Sequence, residues 1–217
     1  MCGMFSLQKL LSKDDKFFSL MEGSAEEARA AIQGLTALLR DLEREPAKAV
    51  FIMDIFIEAR RKEKRLAQEL TAHLCKTFVT PLEREDIEAL SNALYKIPKT
   101  SEKFGERFLL AGKLTKGVDL SQHTVMLDKA AEVLVAMVRE LRKGSNLEKV
   151  KLHSDLLHKI EGDADKLMLE SLRDLYGGTH EALQVVVMKD LLELLEKVFD
   201  RCRDVGNIVF HIVLKHA

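Results

Sequence analysis

The chain has no tryptophan, two tyrosines, three prolines and three cysteines among its 217 residues. Scarce proline leaves little to interrupt long helices. Cys2, Cys75 and Cys202 form no C-x-x-C pair, so their spacing offers no zinc knuckle or redox dithiol. An odd, sparse set reads as reduced thiols in a cytoplasmic protein. No uncharged run approaches the ~18 residues that a bilayer span needs. The N-terminal "MCGMFSLQKLLSKDDKFF" lacks a long apolar centre and a small-residue cleavage site, so no signal peptide is expected. A formal net charge of −1 argues against bulk attraction to nucleic acid or to an acidic membrane. Neither G-x-x-x-x-G-K-[ST] nor G-x-G-x-x-G occurs, and "YGGTH" follows a helical pattern rather than a strand, which excludes the usual nucleotide-phosphate cradles. No Ser or Cys has partners at a spacing that would make it a nucleophile.

What remains is 47% apolar and 32% charged residues, a mixture that favours helices. Apolar residues recur at steps of three and four through six segments. The first carries Phe18, Met21, Ala25, Ala28, Ile32, Leu35, Leu39 and Leu42, and ends at Glu45-Pro46, with Pro46 in the first turn of the next. The second carries Ile52, Phe56, Leu66, Leu70 and Leu74; Thr80 and Pro81 are the expected N-cap and first residue of the third. That third segment holds Ile87, Leu90, Leu94, Ile97, Phe104 and Phe108, with Pro98 inside it as an expected kink. A fourth, from Met126 to Leu141, stops at Gly144; Asn146 can cap a fifth with Val150, Leu157, Ile160 and Ala164. The sixth, through Leu191, Val198, Val205 and Ile212, follows the glycine stop. The expected fold is all-α, a six-helix up-down bundle in one domain over 1–217.

An offset of 101 residues lays the second and third segments on the fifth and sixth. It sets Leu66 on Leu167, Leu74 on Leu175, Leu90 on Leu191 and Gly105 on Gly206. Two pseudo-repeated three-helix units, about 14–113 and 121–217, are the reading that follows. Where the halves disagree, they disagree in charge. Glu161, Asp163 and Asp165 fall on Arg60, Lys62 and Lys64, while Glu196 and Asp200 fall on Tyr95 and Lys99.

Residues four apart share a helical face, so Glu161/Asp165 and Glu196/Asp200 each present a carboxylate pair. His158 extends the first row and Asp204 the second. Both rows are expected off the apolar seam, towards solvent. Together they are candidate ligands for a divalent or iron-type metal ion. The basic "RRKEKR" from Arg60 is either a solvated face or a site for an anion or an acidic partner surface. Cys202 reads as a small buried apolar residue.

The E-x-x-x-D pairs, the duplicated unit, "KTFVTPLEREDIEALSNAL" (Lys76 to Leu94) and "LLEKVFDRCRDVGN" (Leu194 to Asn207) resemble the PhoU-like family. The resemblance is nearest to its subgroup of phosphate transport regulators, the Pit accessory proteins. It implies a non-enzymatic regulator of inorganic phosphate transport that contacts a phosphate transporter or its regulatory sensor, reaches a membrane through a partner only, and binds no nucleic acid. It also implies a metal site at Glu161, Asp165, Glu196 and Asp200, with His158 and Asp204 beside it. In the first half the matching positions are Arg60, Lys64, Tyr95 and Lys99, so no metal is expected there. Two other readings stand beside it: a metal-dependent carboxylate-bundle enzyme, which should carry inward E-x-x-H motifs, and a metal-free helical scaffold. Whether the chain is a homo-oligomer stays open.

Overall fold

The computed structural model describes residues 7–41, 49–143 and 146–216, and among these every regular element is a helix. The six are α1 (Leu7–Asp41), α2 (Ala49–Lys76), α3 (Arg84–Ala111), α4 (Ser121–Glu140), α5 (Leu147–Leu175) and α6 (Ala182–Lys215), with a short 3-10 turn at Gly112–Thr115. Each buries the stripe that its periodicity marks: Met21, Ala25, Ile32 and Leu35 on α1, Ile87, Leu90, Leu94 and Ile97 on α3, and Val198, Val205 and Ile212 on α6 are all at or near zero exposure. One continuous apolar cluster takes residues from all six helices.

Helices α1, α2 and α3 pack on one another, as do α4, α5 and α6, and the two groups meet along α1 against α4 and α3 against α6. Polar bonds set the directions. Arg40 near the end of α1 bonds Asp128 in the first half of α4, and Arg142 just past α4 bonds Glu22 in the middle of α1 and Asp15 nearer its start. Lys215 at the end of α6 reaches Glu83 and Asp86 at the start of α3. Both cross-group pairs are therefore antiparallel.

The 101-residue offset has a physical counterpart. A Cβ on Gly105 would lie 2.6 Å from the Phe56 ring, and a Cβ on Gly206 would lie 2.7 Å from Cδ1 of Leu157. Phe56 and Leu157 are themselves 101 apart, so the same close approach occurs once in each group. The two glycines differ in what can yield. Phe56 is fully buried and rigid, whereas Cδ1 of Leu157 is the tip of a rotatable side chain. Gly105→Ala is expected to destabilise by about 1–2 kcal/mol in a chemical melt, because overpacking outweighs the helix propensity gained. Gly206→Ala should be close to neutral.

Three local expectations need correction or limits. Helix α3 begins at Arg84, not at Pro81, and its N-cap is Glu83 without a side-chain bond. The reason is that Thr80 donates its hydroxyl to the Leu82 carbonyl, while the Arg84 guanidinium bonds the carbonyls of Leu74 and Thr77 and closes the turn between α2 and α3. Pro98 stands inside a continuous helix. Asn146 does cap α5, accepting from the Lys149 amide at 3.1 Å. Leu42, Glu45-Pro46, Gly144 and Cys2 lie outside the described residues.

Candidate metal centre

The two acid rows face each other across the α5/α6 groove, and the cation between them is Arg203. Its guanidinium pairs with Glu161 of α5 and, at 3.0 Å, with Asp200 one turn earlier on α6. A second nitrogen lies 3.3 Å from Asp204, which also pairs with Arg201 at 3.0 Å. Burial opposes the charge on Arg203, but Asp200, Glu161 and Asp204 outweigh it and hold its pKa above the ordinary value. Farther along the groove the acids form no ion pair among the described residues, although the charge of Lys197 acts on Glu196. Burial first, and then the charges of Asp165 and Asp200, raise the Glu196 carboxyl above its usual range. Asp165 has a buried Oδ1 that accepts no hydrogen bond. His158 sits apart, with Nε2 2.8 Å from Oδ1 of Asn207.

The expected ligands thus divide into three. Glu161, Asp200 and Asp204 gather on Arg203; Asp165 and Glu196 adjoin Asp200 and form no ion pair among the described residues; His158 is tied to Asn207. They do not form one coordination shell, and among the described residues no three His, Cys, Asp or Glu side chains are gathered closely enough to hold a metal ion. Nor do the rows stand out in solvent as expected: the side chains of Glu161 and Asp200 are only 16% and 30% exposed, because the groove between two long helices takes them in. Arg203 was the residue missed. Its signal was there, three residues after Asp200 and therefore on the same face.

The matching place between α2 and α3 carries the same bridge with its sign exchanged. Arg60 pairs with Glu102, the residue 101 before Arg203. Its pKa is raised first by the hydrogen bond to Glu102 and then by one to Tyr95. Within "RRKEKR", Lys62 lies 4.0 Å from Glu27, and Arg65 lies 3.7 Å from Glu58. Glu63 does the opposite of its neighbours. It is fully buried between α1 and α2, and neither carboxyl oxygen has a hydrogen-bond partner, although Ser24 lies close by.

No family model matches the chain. It is 24% identical to "Putative pit accessory protein" of Rhizobium meliloti (strain 1021), over the whole of both chains. It is 26% identical to "UPF0111 protein YkaA" of Bacillus subtilis (strain 168), over 66% of this chain and 70% of that one. Two solved structures from Shewanella oneidensis MR-1, both described as PhoU-like, superpose with a TM-score of 0.74 at 18% identity; they cover 93% and 99% of this chain, and 96% and 100% of their own. The fold is PhoU-like. The family resemblance seen in the E-x-x-x-D pairs is borne out by both comparisons, and the six-helix PhoU-like architecture extends over essentially the whole chain. Among the described residues no helix of it is long and apolar enough to cross a membrane.

Proposed function

We propose that the chain is a non-enzymatic accessory protein of inorganic phosphate transport that works in the cytoplasm by contact with a phosphate transporter or its sensor. The observation that carries this is the end-to-end match with a protein named as a Pit accessory protein, on a fold shared with PhoU-like structures. The one-domain, two-unit organisation proposed for 14–113 and 121–217 is supported by the paired Phe56–Gly105 and Leu157–Gly206 approaches and by the mirrored ion pairs. Phosphate uptake should change in cells lacking the protein, and the tagged chain should co-purify with the phosphate permease from solubilised membranes. Unaltered uptake together with no co-purification would rule the reading out.

Within that reading, the α5/α6 groove is a candidate cation site. Asp165, Glu196 and Asp200 carry hard oxygen donors suited to a divalent ion or iron, and the Asp165 Oδ1 has no hydrogen-bond partner, but the three would have to draw together to hold the ion. Glu161 and Asp204 would join only by releasing Arg203. A bound ion would supply the positive charge that this end of the groove lacks. Titration of the chelator-treated protein with manganese, read by calorimetry, should show binding that Asp165→Asn weakens at least about tenfold. Equal binding by both proteins would assign the ion elsewhere.

A further inference from the structure

The surfaces over the two helix pairs share a build and differ in sign. On α3 the stripe Lys96, Lys99, Lys103 and Arg107 is exposed, and Lys64 is exposed on α2 beside it. None of these five makes an ion pair among the described residues, unlike their neighbours Arg60, Lys62 and Arg65. On the other pair, Glu161, Asp165, Glu196, Asp200 and Asp204 share only two guanidinium groups, those of Arg201 and Arg203. One surface keeps unneutralised positive charge and the other negative. At the 101-residue offset three of the five cations fall on acids, Lys64 on Asp165, Lys99 on Asp200 and Lys103 on Asp204, while Lys96 falls on Lys197 and Arg107 on Ile208.

Their placement allows the two surfaces to be used together. Helices α3 and α6 lie side by side, antiparallel, around a groove lined by Asn92 and Lys96 from one and Arg201 and Asp204 from the other. The positive α2/α3 surface and the negative α5/α6 surface therefore flank the same groove at similar height along the bundle. A helix of 28 residues is about 42 Å long, and a packed pair is about 20 Å across, so each surface offers on the order of 800 Å². That is about what each partner contributes to a specific interface.

We infer that the α2/α3 surface of one copy docks on the α5/α6 surface of a second copy, so that the chain self-associates through a charge-matched contact. The contact joins two different surfaces, and each copy carries one of each. Made twice across a two-fold axis it closes a dimer, and made once per copy it is heterologous and repeats until a ring closes. Lysine ammonium groups from one copy supply positive charge to Asp165 and Glu196, which form no ion pair among the described residues of their own chain. This goes beyond a role in phosphate transport and needs no metal.

Sedimentation of the full chain in chelator tests it. At about 0.05 M salt a species larger than the monomer is expected, and at about 0.5 M it should fall apart, with affinity weakened at least about tenfold. The double variant Lys99→Glu/Lys103→Glu and the variant Asp200→Lys should each sediment as monomers at low salt. Mixed in equal amounts they should associate again, since each supplies the sign that the other lacks. If Asp200→Lys does not fold, Asp163→Lys at the margin of the same surface replaces it. A wild-type monomer at low salt, or assemblies indifferent to both reversals, would overturn the inference; the first result would leave the cationic surface to an anionic partner.

Discussion

Above neutral pH the protein is expected to be about 3 kcal/mol less stable, through Glu63 alone, than it is near pH 4.5. Desolvation is the main cause and the charge of Glu27 adds to it; together they push the Glu63 carboxyl from 4.5 up to about 7, against a smaller opposing effect of the Ser24 hydroxyl. Between those two pH values the folded state holds a proton that the unfolded state has released. Stability is therefore fully present below about 4.5 and is lost as pH rises through about 7. Facing Glu63 from α1 are Ser24 and Glu27, and Glu27 is itself raised by burial against the opposing charges of Lys62 and Arg65. Among the described residues no cation pairs with Glu63, so its ionised form meets little compensation beyond the Ser24 hydroxyl.

The decisive comparison is with Glu63→Met, which keeps the length and removes the charge. Urea melts between pH 5 and 8 should show the variant more stable at the upper end, with the difference fading towards about pH 5. The difference matters more than either curve. Burial lowers the His123 imidazole to about 4, and it contributes with the other sign, since the unfolded state takes up a proton there as pH falls below about 6.5 while the folded state does not until about 4. Parallel curves for the two proteins would mean that Glu63 is neutral or ionised throughout.

Replacing Arg203 with alanine is expected to cost about 2 kcal/mol at neutral pH, and a divalent ion should recover much of it. The side chain is about one-quarter exposed and holds Glu161, Asp200 and Asp204 together. Without it those acids join Asp165 and the raised Glu196 carboxyl in one uncompensated row. The loss should exceed that of an exposed pair, since the groove screens these charges poorly. It should shrink as pH falls and the acids take up protons. Thermal melts of Arg203→Ala with and without millimolar manganese separate the two terms. Destabilisation that manganese leaves untouched would make Arg203 a packing residue and weaken the case for a cation in this groove.

The apolar stripes of α1, α3 and α6 were legible in the sequence because burial imposes a 3.6-residue period, which survives nearly any choice of side chain. The end of the turn before α3 was not. A Thr-Pro pair looks like a helix start, but the Arg84 guanidinium on the carbonyls of Leu74 and Thr77 delays it by three residues. That is a contact across ten positions with no local signature.

The candidate site was half readable. Spacing along each helix placed Glu161 with Asp165 and Glu196 with Asp200, and the offset of 101 residues showed that their counterparts had changed sign. That both signs are answered across the groove, Glu161 by Arg203 and Arg60 by Glu102, could not be read from either helix alone. "RRKEKR" gives the sharpest contrast. As letters it is one charged run, yet the packing of α1 on α2 divides it, leaving Lys64 in water and burying Glu63.

Composition and period were thus enough for six helices, their inward faces and the offset between the halves, since these follow from local geometry and the exclusion of water. Which charges are paired, which carboxylate is buried without a partner, and where unneutralised charge of each sign collects depend on how neighbouring helices are set against one another. Electrostatic energy depends on distance and on nearby solvent, and residues far apart in the chain determine both.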